Sequence, residues 1–150
     1  MKANGIDLTT ASGVYVIAAT PFQDDGRIDE KSTDSMVDFY RACGCDGMTI
    51  LGVMGEAPKL AAEESVAISK QIIKRAGPSM PVIVGVSARG FAAMRSLART
   101  VLYAGAAGVI QADDGGAVRE RHAHQLDDLG RVRARERAAE DREILGEDIN

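Results

Sequence analysis

Apolar residues along this chain switch repeatedly between short unbroken runs and helical spacing, and the switching predicts the order of elements. Val14-Tyr15-Val16-Ile17-Ala18-Ala19 is a continuous apolar run closed by Thr20-Pro21, the pattern of a strand buried on both faces. Gln23-Asp24-Asp25-Gly26 reads as a turn. From Asp29 to Cys43, Met36, Val37, Phe39 and Tyr40 fall at helical spacing, acids cluster at the start, and Gly44 supplies a stop. Asp46 to Leu51 predicts a second strand. Glu63 to Ala76 predicts a second helix, with Val66, Ile68, Ile72 and Ile73 on one face and Gly77-Pro78 ending it. Pro81-Val82-Ile83-Val84-Gly85-Val86 is a third strand, and Phe91 to Tyr103 a third helix with Met94, Leu97, Ala98, Val101 and Leu102 inward. Ala107-Gly108-Val109-Ile110 is a short fourth strand. The order β-α-β-α-β-α-β belongs to a parallel sheet with right-handed crossovers. Periodicity leaves two architectures open: a doubly wound open sheet, and the first half of a (β/α)8 barrel.

The segment richest in chemistry is Leu51-Gly52-Val53-Met54-Gly55-Glu56-Ala57-Pro58, directly after the second predicted strand. A glycine-bracketed turn there feeds a helix carrying Glu63 and Glu64. Free N–H groups at such a turn and helix start can hold a carboxylate or phosphate.

Composition changes the picture mainly by exclusion. A length of 150 residues suits one domain with a real core, and 45% apolar with 27% charged residues is a globular balance. Net charge −4 and a pI near 5.2 argue against a nucleic-acid partner. No apolar window reaches the length of a membrane span, and the N-terminus lacks a secretory apolar segment, so a cytoplasmic location is expected by default. Cys43 and Cys45 flank Gly44, but two ligands do not make a metal site and His122 and His124 lack finger spacing. They read as small apolar residues at a helix end and a strand entry.

The averages also conceal a break. All five lysines and every Phe, Tyr, Met, Cys and Pro lie at or before Ile110. After Ala112 come 38 residues with 11 of the 22 acids, 7 arginines and both histidines. Val118 to Ile144 has helix-forming composition with a thin apolar stripe, Leu126, Leu129 and Val132, so residues 112–150 are expected to form a charged tail, helical or disordered. The abrupt onset and the Ala, Arg, Gly, Asp and Glu excess fit an out-of-frame reading of GC-rich coding sequence. A purposeful helical tail serving assembly is the competing expectation.

A dinucleotide fingerprint should follow the first strand of a doubly wound sheet, and Thr20-Pro21-Phe22-Gln23-Asp24 is unlike one. Instead the chain resembles the dihydrodipicolinate synthase and N-acetylneuraminate lyase family. The residues that carry this are Ala19-Thr20-Pro21-Phe22 with Asp25-Gly26-Arg27-Ile28-Asp29; Gly44-Cys45-Asp46-Gly47; Leu51-Gly52-Val53-Met54-Gly55-Glu56 with Leu60 and Glu63-Glu64; Pro81-Val82-Ile83-Val84-Gly85-Val86; and Ala104-Gly105-Ala106-Ala107-Gly108-Val109. The resemblance implies an α/β fold, a partial (β/α)8 TIM barrel of about four βα units over residues 13–111, after an extension over residues 1–12. It implies an enzyme class that makes or cleaves C–C bonds of small, pyruvate-like 2-oxo acids, without cofactor or metal. A sixth-strand lysine forms the Schiff base, a fifth-strand tyrosine relays protons, and two threonines in the turn help hold the substrate carboxylate.

Val53 and Met54 stand where the resemblance places those threonines, so the hydroxyls are gone and another substrate is expected. The backbone amides of Val53, Met54 and Gly55 remain as carboxylate ligands, with Gly52, Glu56, Thr20 and Ser87 in support. For Glu56 a helix-start cap is the plainer role, and for Ser87 an ordinary strand-end hydroxyl. A full barrel needs about 250 residues, and the resemblance stops at the fourth strand. No residue is therefore assigned as the catalytic lysine or tyrosine, and the chain alone is expected to be inactive. Lys59, Lys70 and Lys74 read as outer surface charges, and Tyr15 and Tyr103 as packing residues. Two other functions stay open: a non-catalytic half-barrel that assembles with itself or a full-length relative through exposed strand edges, and a small open-sheet anion-binding domain using the Gly52–Glu56 turn.

Overall fold

A computed structural model of the chain describes residues 2–3, 6–7, 11–88 and 90–111. Near the start, β1 (Lys2–Ala3) and β2 (Ile6–Asp7) pair antiparallel. The sequence pattern gives no sign of them, because a two-residue strand is too short to show alternation. The main sheet consists of β3 (Tyr15–Ile17), β4 (Gly47–Ile50), β5 (Val82–Gly85) and β6 (Gly108–Ile110), all parallel and side by side in chain order. Three helices make the crossovers: α1 (Glu30–Ala42), α2 (Ala62–Ala76) and α3 (Phe91–Tyr103). These are the four strands and three helices that the hydrophobic pattern predicts. The expected charged tail lies outside the described residues.

Register fixes which side chains share a face. Val16, Met48 and Val82 align across the sheet, as do Ile50, Val84 and Val109. These residues join Val37, Ile68, Ile72 and Val101 of the helices in one core, where Met48, Val84, Val37 and Val101 are fully buried. The other face carries the aligned row Ile17, Thr49, Ile83 and Gly108, of which Ile17 remains 52% exposed. Helices thus cover one face of the sheet, the arrangement of the outer ring on a barrel stave set. The start of β3 is latched to β4 where the Val14 amide donates to Asp46 Oδ2 at 2.7 Å. Gly13 (φ 117°) makes that approach possible, since a Cβ there would lie 2.1 Å from the same oxygen.

The helices bury small polar residues that an apolar pattern overlooks. On α1 the buried positions are Thr33 and Val37, while Phe39 is 62% exposed and tilts against Tyr40 with ring centroids 5.7 Å apart. On α2 the buried stripe is Ser65, Ile68, Ser69, Ile72 and Ala76, with Val66 only half-buried. Both serines fit because their hydroxyls donate to carbonyls one turn back, Ser65 to Ala61 O at 3.1 Å and Ser69 to Ser65 O at 2.7 Å. A polar clamp joins the outer edges of α1 and α2. Arg75 Nε donates to Asp38 Oδ1 at 3.0 Å, and Gln71 Nε2 donates to Asp34 Oδ1 at 2.9 Å and Glu30 O at 2.8 Å. Arg41 Nη2 reaches Arg75 O at 2.6 Å and Ala76 O at 3.0 Å, satisfying carbonyls that the end of α2 leaves without helical partners.

Candidate functional site

The chain leaves β4 through a turn whose backbone is unusual at both ends. Strict alternation would send Leu51 onto the open face after Gly47 and Thr49. Its left-handed backbone (φ 54°) breaks the alternation, and the side chain is 2% exposed within the core. Glu56 is left-handed as well (φ 52°). Non-glycine residues in that region are uncommon and carry strain, which the surrounding packing must overcome. Between them Gly55 N donates to Gly52 O at 3.1 Å and Glu56 N to Val53 O at 3.2 Å, closing the turn on itself.

Neighbouring strands then pin the turn. Thr20, after β3, is buried and donates its hydroxyl to Gly55 O at 2.6 Å, joining residues 35 apart. Gly85 ends β5 against the backbone of Leu51 and Gly52. An added Cβ would sit 2.1 Å from Leu51 O and 3.2 Å from Gly52 N, so only glycine allows this approach. Gly55 is needed for a similar reason, with Leu51 N 2.9 Å from its Cβ position. The turn therefore sits at the C-terminal ends of three adjacent parallel strands, where ligands bind in parallel α/β folds.

Val53 is 88% and Met54 61% exposed, and among the described residues no hydrogen bond occupies either amide. The Gly55 amide, expected as a third ligand, already serves the turn through Gly52 O. Glu56 makes no capping hydrogen bond and instead forms an ion pair with Lys59. A 3-10 turn, Ala57–Lys59, separates it from α2. The start of α2 is capped by Glu64, whose Oε2 accepts from Ala61 N at 2.8 Å, so that amide is not available to an anion. Ser87 follows β5 and is exposed. Sequence reasoning passed over Gly85 as the notch that admits the turn. The available signal was a glycine inside an otherwise β-branched strand, which marks close backbone approach.

Lys31, Lys59, Lys70 and Lys74 lie on α1, the 3-10 turn and α2, and none of them is in the four-stranded sheet. Among the described residues no group of three or more His, Cys, Asp or Glu side chains gathers to hold a metal ion. No described helix is long and apolar enough to cross a membrane. The shifted ionisations are remote from the turn. Hydrogen bonds from Ser32 hold the Asp29 carboxyl below its ordinary range, and hydrogen bonding from Arg75 does the same for Asp38.

Parallel strands laid down in chain order, crossover helices on one face and a pinned turn at the strand C-termini define the class: the first four strands of a (β/α)8 barrel. More narrowly, the chain belongs to the dihydrodipicolinate synthetase family, whose model matches residues 10–112. It is similar to a 4-hydroxy-tetrahydrodipicolinate synthase of Azoarcus sp. (strain BH72), 34% identical over 95 residues, covering 63% of this chain and 32% of the relative. It is also similar to a crystal structure of dihydrodipicolinate synthase from Rhodopseudomonas palustris, with 59% identity, TM-score 0.66, and coverage of 69% of this chain and 34% of that one. A third likeness is YagE, a prophage protein of the dihydrodipicolinic acid synthase family from E. coli K12 crystallised in complex with pyruvate. There the identity is 26% and the TM-score 0.72, with coverage of 80% and 42%. The chain spans about a third of the length of the curated relatives it matches.

Proposed function

We propose that this chain forms the carboxylate-binding end of a Schiff-base lyase or aldolase site for 2-oxo acids, and that it is catalytically silent by itself. The observation that carries the reading is the pair of unoccupied amides at Val53 and Met54, held at the strand C-termini by a turn that Thr20 and Gly85 immobilise. Two adjacent N–H donors suit a carboxylate, and fixed donors bind without first being ordered. In the family chemistry a lysine amine condenses with the substrate ketone, water leaves, and the iminium takes up the electron pair when the neighbouring bond breaks. Of the described lysines, Lys31, Lys70 and Lys74 lie on α1 and α2, Lys59 lies on the 3-10 turn paired with Glu56, and Lys2 lies in β1; that none stands on a strand of the four-stranded sheet supports reading the chain as lacking that amine.

Borohydride reduction of the 150-residue chain in the presence of pyruvate, read by intact mass, tests the silence directly. The mass should not change. A trapped adduct on any lysine would refute the reading.

A second reading draws support from the sheet edges: among the described residues β3 and β6 each pair on one side only, and Ile17 and Ile110 are about half exposed. Two copies related by a twofold axis along the barrel would pair β3 of each with β6 of the other and give eight parallel strands. Sedimentation of the purified chain distinguishes a discrete dimer, as this reading requires, from a monomer or open-ended aggregate.

A further inference from the structure

This inference rests on the carboxylate seat proposed above and concerns what lies beside it. Seven large apolar side chains are exposed among the described residues; three of them lie in or against that turn, and a fourth is on β6 beside Gly85. Val53 and Met54 are in it, at 88% and 61% exposure. Ile17 lies on the β3 side, with its Cγ2 3.9 Å from the Cβ position of Gly52. Ile110 lies on the β5 side, in register with Gly85. Large apolar groups gathered at a ligand-binding rim mark the place where an apolar part of the ligand is covered. Among the described residues, two polar groups nearest the turn are already committed. The Thr20 hydroxyl is given to Gly55 O, and Lys59 is paired with Glu56. A second carboxylate on the ligand would thus meet methyl and thioether groups where it needs a donor, a costly arrangement.

We propose that the ligand of this seat is a monocarboxylic 2-oxo acid with an aliphatic tail, such as 2-oxovalerate, whose carboxylate meets the Val53 and Met54 amides while its tail lies on Val53, Met54 and Ile17. Each methylene fully removed from water favours binding by about fourfold, and one half-covered by about twofold. Two added methylenes should therefore tighten binding about four- to fifteenfold over pyruvate.

The test is a titration of the 15N-labelled 150-residue chain with pyruvate, 2-oxobutyrate, 2-oxovalerate and 2-oxoglutarate, following the Val53 and Met54 amide resonances. The expected result is stepwise tightening from pyruvate to 2-oxovalerate, with 2-oxoglutarate weaker than 2-oxovalerate at equal chain length. In the double variant Val53→Thr with Met54→Thr, the dependence on tail length should flatten, so that 2-oxovalerate loses its advantage over pyruvate. Equal affinity for all four acids, or a preference for 2-oxoglutarate, overturns the aliphatic-tail proposal and leaves the carboxylate seat standing. Amide resonances that none of the acids moves overturn the seat and the proposal together.

Discussion

Replacing Gly85 by alanine puts the candidate site's architecture to its most direct trial. The new methyl carbon would lie 2.1 Å from Leu51 O, 2.7 Å from Leu51 C and 3.2 Å from Gly52 N. All three contacts are main-chain atoms, so no side-chain rotation relieves them. Either β5 moves away from β4 or the turn lifts. Leu51 already occupies the left-handed region and is buried, so the turn has little freedom to yield. Overpacking a well-filled core costs about 1–3 kcal/mol, and a clash against backbone belongs at the upper end, about 3 kcal/mol. With a urea dependence of about 1 kcal/mol per molar for a domain of this size, the unfolding midpoint should fall by about 3 M. Gly52→Ala is the control: its Cβ position has only Ile17 Cγ2 nearby, at 3.9 Å, an ordinary contact. That variant should stay within about 0.5 kcal/mol of the parent. Circular dichroism during urea titration reads both. Coincident midpoints for the two variants would refute the claim that Gly85 is a notch for the turn.

Other outcomes follow from the same contacts. Thr20→Val keeps the volume but withdraws the donor from Gly55 O, stranding a buried carbonyl, and should cost about 1–3 kcal/mol by urea titration, with Thr20→Ser recovering most of it. Asp38 titrates lower when folded, because Arg75 hydrogen-bonds its charged form. Its contribution is therefore present above the ordinary carboxylate range and lost as pH falls through about 4 towards the folded pKa. Asp38→Asn should lower thermal stability at neutral pH and flatten the fall in stability below about pH 4. Salt should shrink the difference between variant and parent, since the pair is partly exposed.

Much of this architecture was legible in the sequence, and the misses have physical reasons. The main strands are short apolar runs, most with Gly, Pro or Asp close by, and the three helices are followed by Cys43, Gly77 and Ala104, so type and order followed from local chemistry. Hydrophobic spacing alone does not say which of two adjacent apolar stripes faces the sheet, and Phe39, in the same helically spaced set as Val37, lies 62% exposed. Thr33, Ser65 and Ser69 were invisible for the opposite reason: their hydroxyls are satisfied by their own helix, so they pack as small apolar residues would. The turn after β4 was recognised by its glycines, but the amides left over depend on the turn's internal bonding. The engagement of the Gly55 amide with Gly52 O and the diversion of Glu56 to Lys59 are set by two left-handed residues, Leu51 and Glu56, whose side chains carry no such signature.

A sheet laid down in chain order advances like masonry from a fixed first course. Each βα unit added after β6 extends the sheet on that margin, whereas the margin beside β3 waits for whatever closes the ring, however distant in sequence or separate in molecule. Local pairings come first, with short loops to close, and the pairing of greatest sequence separation comes last and sets the pace of completion. Tyr15, Val16 and Ile17 therefore stand at the seam of this architecture, and substitutions there should influence ring closure more than the formation of the layers already in place.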